Sequence, residues 1–197
     1  MARVLGSSAP LALLAAIAAL DALTHVLDPA THGPGALLLG ALDEPAHLAT
    51  AAIVLLALRP RSFAFVVAAL ATSVAIDLDH LPQLLGSDYL TEDAPRPYPH
   101  SLAGAAALTL VALVLSRRRA VAAGVGAGVL LHLFRDTATG SGVALAWPFS
   151  LGVASIPWPV YFAALALLAV LAASRGSARA ARRASLPCAP ARRATRG

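Results

Sequence analysis

The stretch Asp77-Leu78-Asp79-His80 sets two carboxylates and an imidazole side by side. Carboxylate oxygen and imidazole nitrogen are the donors that zinc-like and manganese-like ions accept, so the segment is suited to hold a divalent cation. If a helix runs through it, Asp77 and His80 share a face, while Asp79 points elsewhere unless the helix unwinds. His132 and Asp136 stand at i and i+4, a spacing that lets both side chains reach one ion or one polar cavity. His47 bears the same relation to Asp43 and also shares a face with Glu44, and His100 follows directly on Pro99. Asp21, His25 and Asp28 repeat the theme more loosely, whereas His32 lies among Gly and Pro as a solvated loop residue would. The plainer reading of each group is a solvated helix end, or a carboxylate that only orients a histidine. Cys188 is the sole cysteine, so neither a disulfide framework nor a thiolate zinc site can be built, and any metal needs His and carboxylate ligands.

The elements that must position these residues are apolar. Of 197 residues, 58% are hydrophobic and 13% charged, with a mean hydropathy of +0.75; bilayer suits this composition better than water does. Six apolar stretches stand out: Pro10 to Leu27, Ala46 to Leu58, Ser62 to Ile76, Ser101 to Leu115, Ala120 to Phe134 and Val160 to Ala173. The expected fold class is therefore an all-α integral membrane protein with about six transmembrane helices in one bundle. Several stretches are shorter than the roughly 20 residues that cross a hydrocarbon core, so flanking polar residues must enter the spans. Gly124, Gly126 and Gly128 in an Ala-rich setting favour close backbone approach in lipid. The first stretch has the outline of a signal peptide, but apolar character resumes at Ala22 and Leu23, and it is expected to stay as an anchor.

All 15 basic residues are Arg, and the net charge of +5 would suggest nucleic acid if read without its distribution. If all six stretches span, Arg3, Arg59, Arg61, Arg117, Arg118, Arg119 and the seven Arg of the tail fall on one side. The other side keeps only Arg96 and Arg135, with every acidic residue and every His. Such a bias makes the Arg-rich side cytoplasmic. The expectation is a multi-pass protein of the cell (inner) membrane with both termini cytoplasmic, partnered by membrane lipid and not by nucleic acid. Residues 1–174 form a transmembrane domain with an outward-facing metal site, and 175–197 a disordered Arg-rich cytoplasmic tail attracted to anionic lipid. Tyr98, Trp147, Trp158 and Tyr161 are expected to anchor at the headgroups.

Taken together, these residues resemble the YdjM-like family of membrane-bound metal-dependent hydrolases. Asp77, Asp79 and His80 match that family's Asp-x-Asp-His motif; Arg96, His100 and Ser101 match part of its His-Arg-x-x-Thr-His-Ser motif. His132, Asp136, Thr139 and Gly142 match its His-x-x-x-Asp-x-x-Thr-x-x-Gly motif, followed by Trp147-Pro148-Phe149-Ser150, and His47 looks like its early histidine. Pro95 and Pro99 depart from the second motif, which removes one potential ligand. The resemblance implies metal-dependent hydrolysis, and a distant similarity to zinc-dependent phospholipase C implies phosphoester chemistry by analogy.

The resulting expectation is one or two divalent ions, zinc first and manganese second, held by His47, Asp77, His80, His100, His132 and Asp136, with Asp79 bridging or standing behind them. Glu44 is the candidate general base, and Arg96 and Arg135 are candidates to hold a phosphate through their forked donors. Asp79, Glu44, Arg96 and Arg135 thus form the expected catalytic set, acting on a phosphoester or other ester of a lipid-like substrate. Two other readings stand beside it: a non-catalytic membrane protein with a structural metal, and a metal or proton transporter. A transporter would carry polar residues on toward the cytoplasmic half of the spans. Haem ligation by paired His is disfavoured by the surrounding carboxylates.

Overall fold

A computed structural model describes residues 2–27, 34–85, 87, 89–91, 94 and 96–184. Asp28, His32, Pro95, Cys188 and the end of the expected tail, 185–197, lie outside the described residues. The described chain is all helical: α1 (Ala2–Leu27), α2 (Pro34–Leu58), α3 (Phe63–Ala75), a 3-10 turn (Ile76–His80), the short α4 (Leu81–Leu84), α5 (Leu102–Ser116), α6 (Arg119–Asp136) and α7 (Trp158–Ala184). Among the described residues the sole extended pairing is an isolated bridge between Val143 and Ala154. Exposed apolar side chains on the helices, such as Leu110, Val114 and Leu167, give the bundle an outer surface suited to lipid.

About six spans were expected, and the structure corrects that number. α1, α2, α3 with its 3-10 turn, and α7 are long and apolar enough to cross a membrane, and α5 is a shorter apolar helix. The stretch expected at Ala120 to Phe134 becomes α6, which ends in His132, Arg135 and Asp136 and buries all three. α2, α3 and α5 pack against this helix and bury its glycine and His/Asp face, while Ala123 and Leu130 stay exposed. The apolar stretch at Ala46 also begins earlier than its hydropathy indicates. α2 starts at Pro34, where a missing N–H costs nothing, and continues through Pro45, so Asp43, Glu44 and His47 lie inside the helix. At the other end α7 reaches Ala184, so 175–184 is helical where a disordered tail was expected; the Ala and Arg of that segment are strong helix formers.

Ser62 and Ser101 start α3 and α5 by accepting the N–H of Phe65 at 3.2 Å and of Gly104 at 3.0 Å. The contact that matters most for the site is between α3 and α6. A side chain at Gly124 would strike the carbonyl of Phe65, and one at Gly128 that of Ala69. The two backbones therefore touch, with matched four-residue steps along both helices in the same direction, as two parallel helices require. One further step brings His132 to Ser73, where the ring Nδ1 lies 2.9 Å from the carbonyl oxygen. Two apolar clusters bracket this line. Ile17, Ala46, Ala49, Ile53, Tyr161 and Leu165 join α1, α2 and α7 on one side; Ile76, Ala105, Val129, Leu133 and Val143 close the other.

Candidate metal centre

The site forms where α2, the 3-10 turn, the segment before α5 and the end of α6 converge. The 3-10 turn settles the open question about Asp79. Its tighter winding keeps Asp77 and His80 together, with Oδ1 and Nε2 3.7 Å apart, and turns Asp79 toward His100, with Oδ2 3.1 Å from Nδ1. Four donor atoms then meet: Asp77 Oδ1, His100 Nε2, His132 Nε2 and Asp136 Oδ2. The separations are 2.9 Å from Asp77 to His100, 3.2 Å from Asp77 to His132, 3.1 Å between the histidines, and 3.1 and 3.6 Å from Asp136 to His132 and His100.

These distances match the edges of a coordination polyhedron. Bonds of about 2.0–2.1 Å place ligand atoms about 3.3–3.4 Å apart in a tetrahedron and about 2.8–3.0 Å apart in an octahedron. Hydrogen bonding supports the same conclusion. A carbonyl can only accept, so His132 must donate its Nδ1–H to Ser73, leaving Nε2 to face the cluster with its lone pair. His100 faces a carboxylate at each ring nitrogen, Asp79 at Nδ1 and Asp77 at Nε2; with Nδ1–H given to Asp79, Nε2 is left to an ion. Both oxygens of the fully buried Asp136 lie within 3.3 Å of nitrogens yet accept no hydrogen bond, and both nitrogens of buried His47 are in the same condition. Buried polar atoms crowded together without pairing are accounted for by a shared cation, so the residues present fit a divalent ion. Burial works against the His100 imidazolium, but the carboxylates of Asp77 and Asp79 outweigh it and raise its pKa above the ordinary histidine value, so proton and ion compete at this ring.

The remaining expected residues fall into place around the four. His47 stacks on His132 with ring centroids 3.7 Å apart, and its Nε2 lies 3.3 Å from Asp136 Oδ1 and 3.4 Å from Asp43 Oδ2. Donor atoms of His47, His132 and Asp136 lie within 4.8 Å of one another, as do those of Asp77, Asp79, His80 and His100. Glu44 lies beside Asp77 with one buried oxygen unpaired. Arg96 reaches Asp136 Oδ1 at 3.2 Å and the Thr139 carbonyl at 3.5 Å. The loop that carries Thr139 depends on Gly142, whose φ of +81° and contact with Val153 and Ala154 exclude a side chain. Motif residues Thr139 and Gly142 thus shape the wall that holds Arg96.

Arg135 is placed otherwise than expected. It is buried at 2% exposure, with Nη2 2.6 Å from Asp21 Oδ1 and 2.7 Å from Asp43 Oδ1, and Nε 3.1 Å from the same Asp43 oxygen. Nη1 also lies 3.4 Å from the Tyr161 hydroxyl. A guanidinium held between two carboxylates is not available to a substrate phosphate, so Arg135 leaves the catalytic set and becomes a clamp on α1 and α2. Tyr161 is likewise no headgroup anchor: it is fully buried, and it donates to Thr50 Oγ1 at 2.6 Å because Thr50 gives its own proton to the Ala46 carbonyl. Trp158 donates Nε1–H to Asp21 Oδ2 at 2.9 Å. His25 is exposed at the end of α1, apart from Asp21's role. Residue type alone missed this network; its one signal was an arginine at the polar end of a glycine-rich helix, which needs counter-charge wherever it lies.

Fold and site together define a helical membrane protein with a buried histidine and carboxylate centre. The family model described as YdjM inner membrane protein matches residues 27–191, and the chain belongs to that family. The match takes in α2 to α7 and leaves Asp21 outside it. No curated protein and no solved structure matches the chain.

Proposed function

We propose that the protein is a membrane-bound, metal-dependent hydrolase that cleaves a phosphoester, or another ester, of a lipid-like substrate at the extracytoplasmic face of the inner membrane. The observation that carries this reading is the convergence of Asp77, His100, His132 and Asp136 at ligand spacing, with neither Asp136 oxygen holding a hydrogen bond. A divalent ion held there, zinc first or manganese, would supply Lewis acidity to a scissile ester and acidify water. The chain's own residues supply the rest. Arg96 pairs with one carboxylate, Asp136, through Nη2, and with a side chain 15% exposed at the edge of the site it can turn its remaining donors to an anionic group of the substrate. Glu44, beside Asp77, is placed to take a proton from the attacking water. Asp79 acts by orienting His100 rather than as the reacting group.

The centre opens on one side. His132, His100 and Asp136 have buried side chains, whereas that of His80 is 32% exposed and those of Asp77 and Asp79 are partly so. Leu78 of the 3-10 turn and Leu81 at the start of α4 are exposed beside His80, and this apolar surface suits a substrate with a lipid portion. The expected result is ester cleavage by purified protein supplied with zinc or manganese, tested on phospholipids, lipid-linked phosphates and soluble phosphodiesters. Chelation and His80→Ala are expected to abolish it. Metal-loaded, folded protein that cleaves none of them would leave a structural metal as the better reading.

The same proposal fixes orientation. If α6 crosses beside α3 although it is not apolar enough for a lone span, thirteen Arg lie on one side against two on the other, which supports both termini in the cytoplasm and the centre outside. The parallel run of α3 and α6 is what alternate crossing by α3, α5 and α6 would give. In intact cells, Ser87→Cys in a Cys188→Ser background is expected to react with a membrane-impermeant reagent, and Cys188 in the native chain to be protected. The opposite labelling would invert the topology.

A further inference from the structure

Asp136 uses its two oxygens on different sides. Oδ2 faces His132 and His100 in the four-donor set, whereas Oδ1 faces His47 Nε2 at 3.3 Å. His47 Nε2 in turn lies 3.4 Å from Asp43 Oδ2. Asp43 is similarly divided, because its Oδ1 is taken by Arg135 through contacts of 2.7 and 3.1 Å and Oδ2 is left toward His47. Both separations around His47 fall at the edge length of about 3.3–3.4 Å for a tetrahedral ion. His47 is 1% exposed and neither of its nitrogens has a hydrogen bond, so a buried imidazole faces these oxygens at ligand spacing without bonding to either. Charge leads to the same place. Among the described residues, Asp21, Asp43, Asp77, Asp79 and Asp136 are met by two arginines, Arg96 and Arg135, and otherwise by imidazoles whose ring nitrogens could serve an ion in place of a proton.

We infer that the centre takes two divalent cations bridged by Asp136, and that Asp43, held by Arg135, is a ligand of the second together with His47. The inference rests on the metal-centre reading above and adds a ligand and a stoichiometry to it. Arg135 is then a positioning residue: by occupying Oδ1 it commits Asp43 to offer Oδ2, and by bonding Asp21 it ties that ligand to α1. Arg96, on the outer side of Asp136 Oδ1 at 3.2 Å, stands next to the bridging carboxylate as a second-ion neighbour that carries its own charge.

The test uses full-length protein in detergent, loaded with manganese(II), freed of excess ion, and measured for metal content and by electron paramagnetic resonance. The expected result is two equivalents with an exchange-coupled spectrum. Asp43→Asn, which keeps an oxygen for Arg135, and His47→Gln are each expected to retain one equivalent and to show the six-line signal of an isolated ion. One uncoupled equivalent in the native chain overturns the inference and leaves the single-ion site intact; no retained metal overturns the metal-centre reading itself. Two uncoupled equivalents remove Asp136 as the bridge, and two coupled equivalents in Asp43→Asn remove Asp43 as a ligand. Should Asp43→Asn fail to fold, His47→Gln decides the matter by the same readouts.

Discussion

His132→Ala is expected to lower the affinity of the protein for zinc or manganese by about 100-fold or more, the largest loss among single substitutions at the centre. His132 Nε2 is the atom that lies within 3.2 Å of Asp77, His100 and Asp136 at once, so its removal takes a donor from the middle of the set. Asp79→Ala should fall between, because Asp79 contributes through the His100 ring it orients; outer partners of this kind are typically worth about 10–100-fold in metal affinity. His25→Ala, at an exposed position on α1, should leave affinity unchanged. Competition against a chelator of known affinity measures all three. Equal retention across the series would show that the convergent histidines hold no ion.

Arg135→Ala is expected to cost about 3–5 kcal/mol of stability, since removing one partner of a buried ion pair leaves the others uncompensated. Two carboxylates are stranded at once here, Asp21 from α1 and Asp43 from α2. Adding Asp21→Asn to Arg135→Ala should recover part of the loss, because one of the stranded charges is then gone. Arg135→Lys should restore less than the native residue does, because an ammonium cannot present the fork that spans both carboxylates. Unfolding by graded denaturing detergent, followed by circular dichroism, measures the series. An Arg135→Ala protein as stable as the native one would mean that the clamp carries no weight.

The parts of the site that could be read in the sequence are those encoded by short spacing. His132 with Asp136, and Asp77 with His80, are local pairs whose helical geometry follows from residue number, and the structure brings both pairs to one centre. The 3-10 turn that redirects Asp79 was legible only as a condition on the helix. Arg135 could not be read this way. Its partner Asp21 is 114 residues away, and nothing local to either distinguishes a clamp from a phosphate-binding cation. Tyr161 misled for a related reason: an aromatic hydroxyl near an expected boundary fits a headgroup anchor, and only the packing of α7 on α2 turns it to Thr50. Span number differed at α6, whose glycines and charged ends leave it less apolar than a lone span although a helix forms there. Gly124 and Gly128 did signal a close approach, yet the neighbour they admit, α3, had to be seen.

The clamp also has a bearing on how the chain is made. An Arg or Asp costs about 2.5–3.5 kcal/mol at the centre of a lone helix in lipid and less toward its ends; α6 ends in one of each, both buried here, so this end is better served by protein partners than by lipid. Ribosomal synthesis delivers Asp21, Asp43 and the Ser73 carbonyl before Arg135 and His132 exist, since α1, α2 and α3 precede α6 in the chain. The counter-charges and the hydrogen-bond acceptor of α6 are therefore already synthesised when it emerges, so its polar end can be met by protein without waiting for later segments.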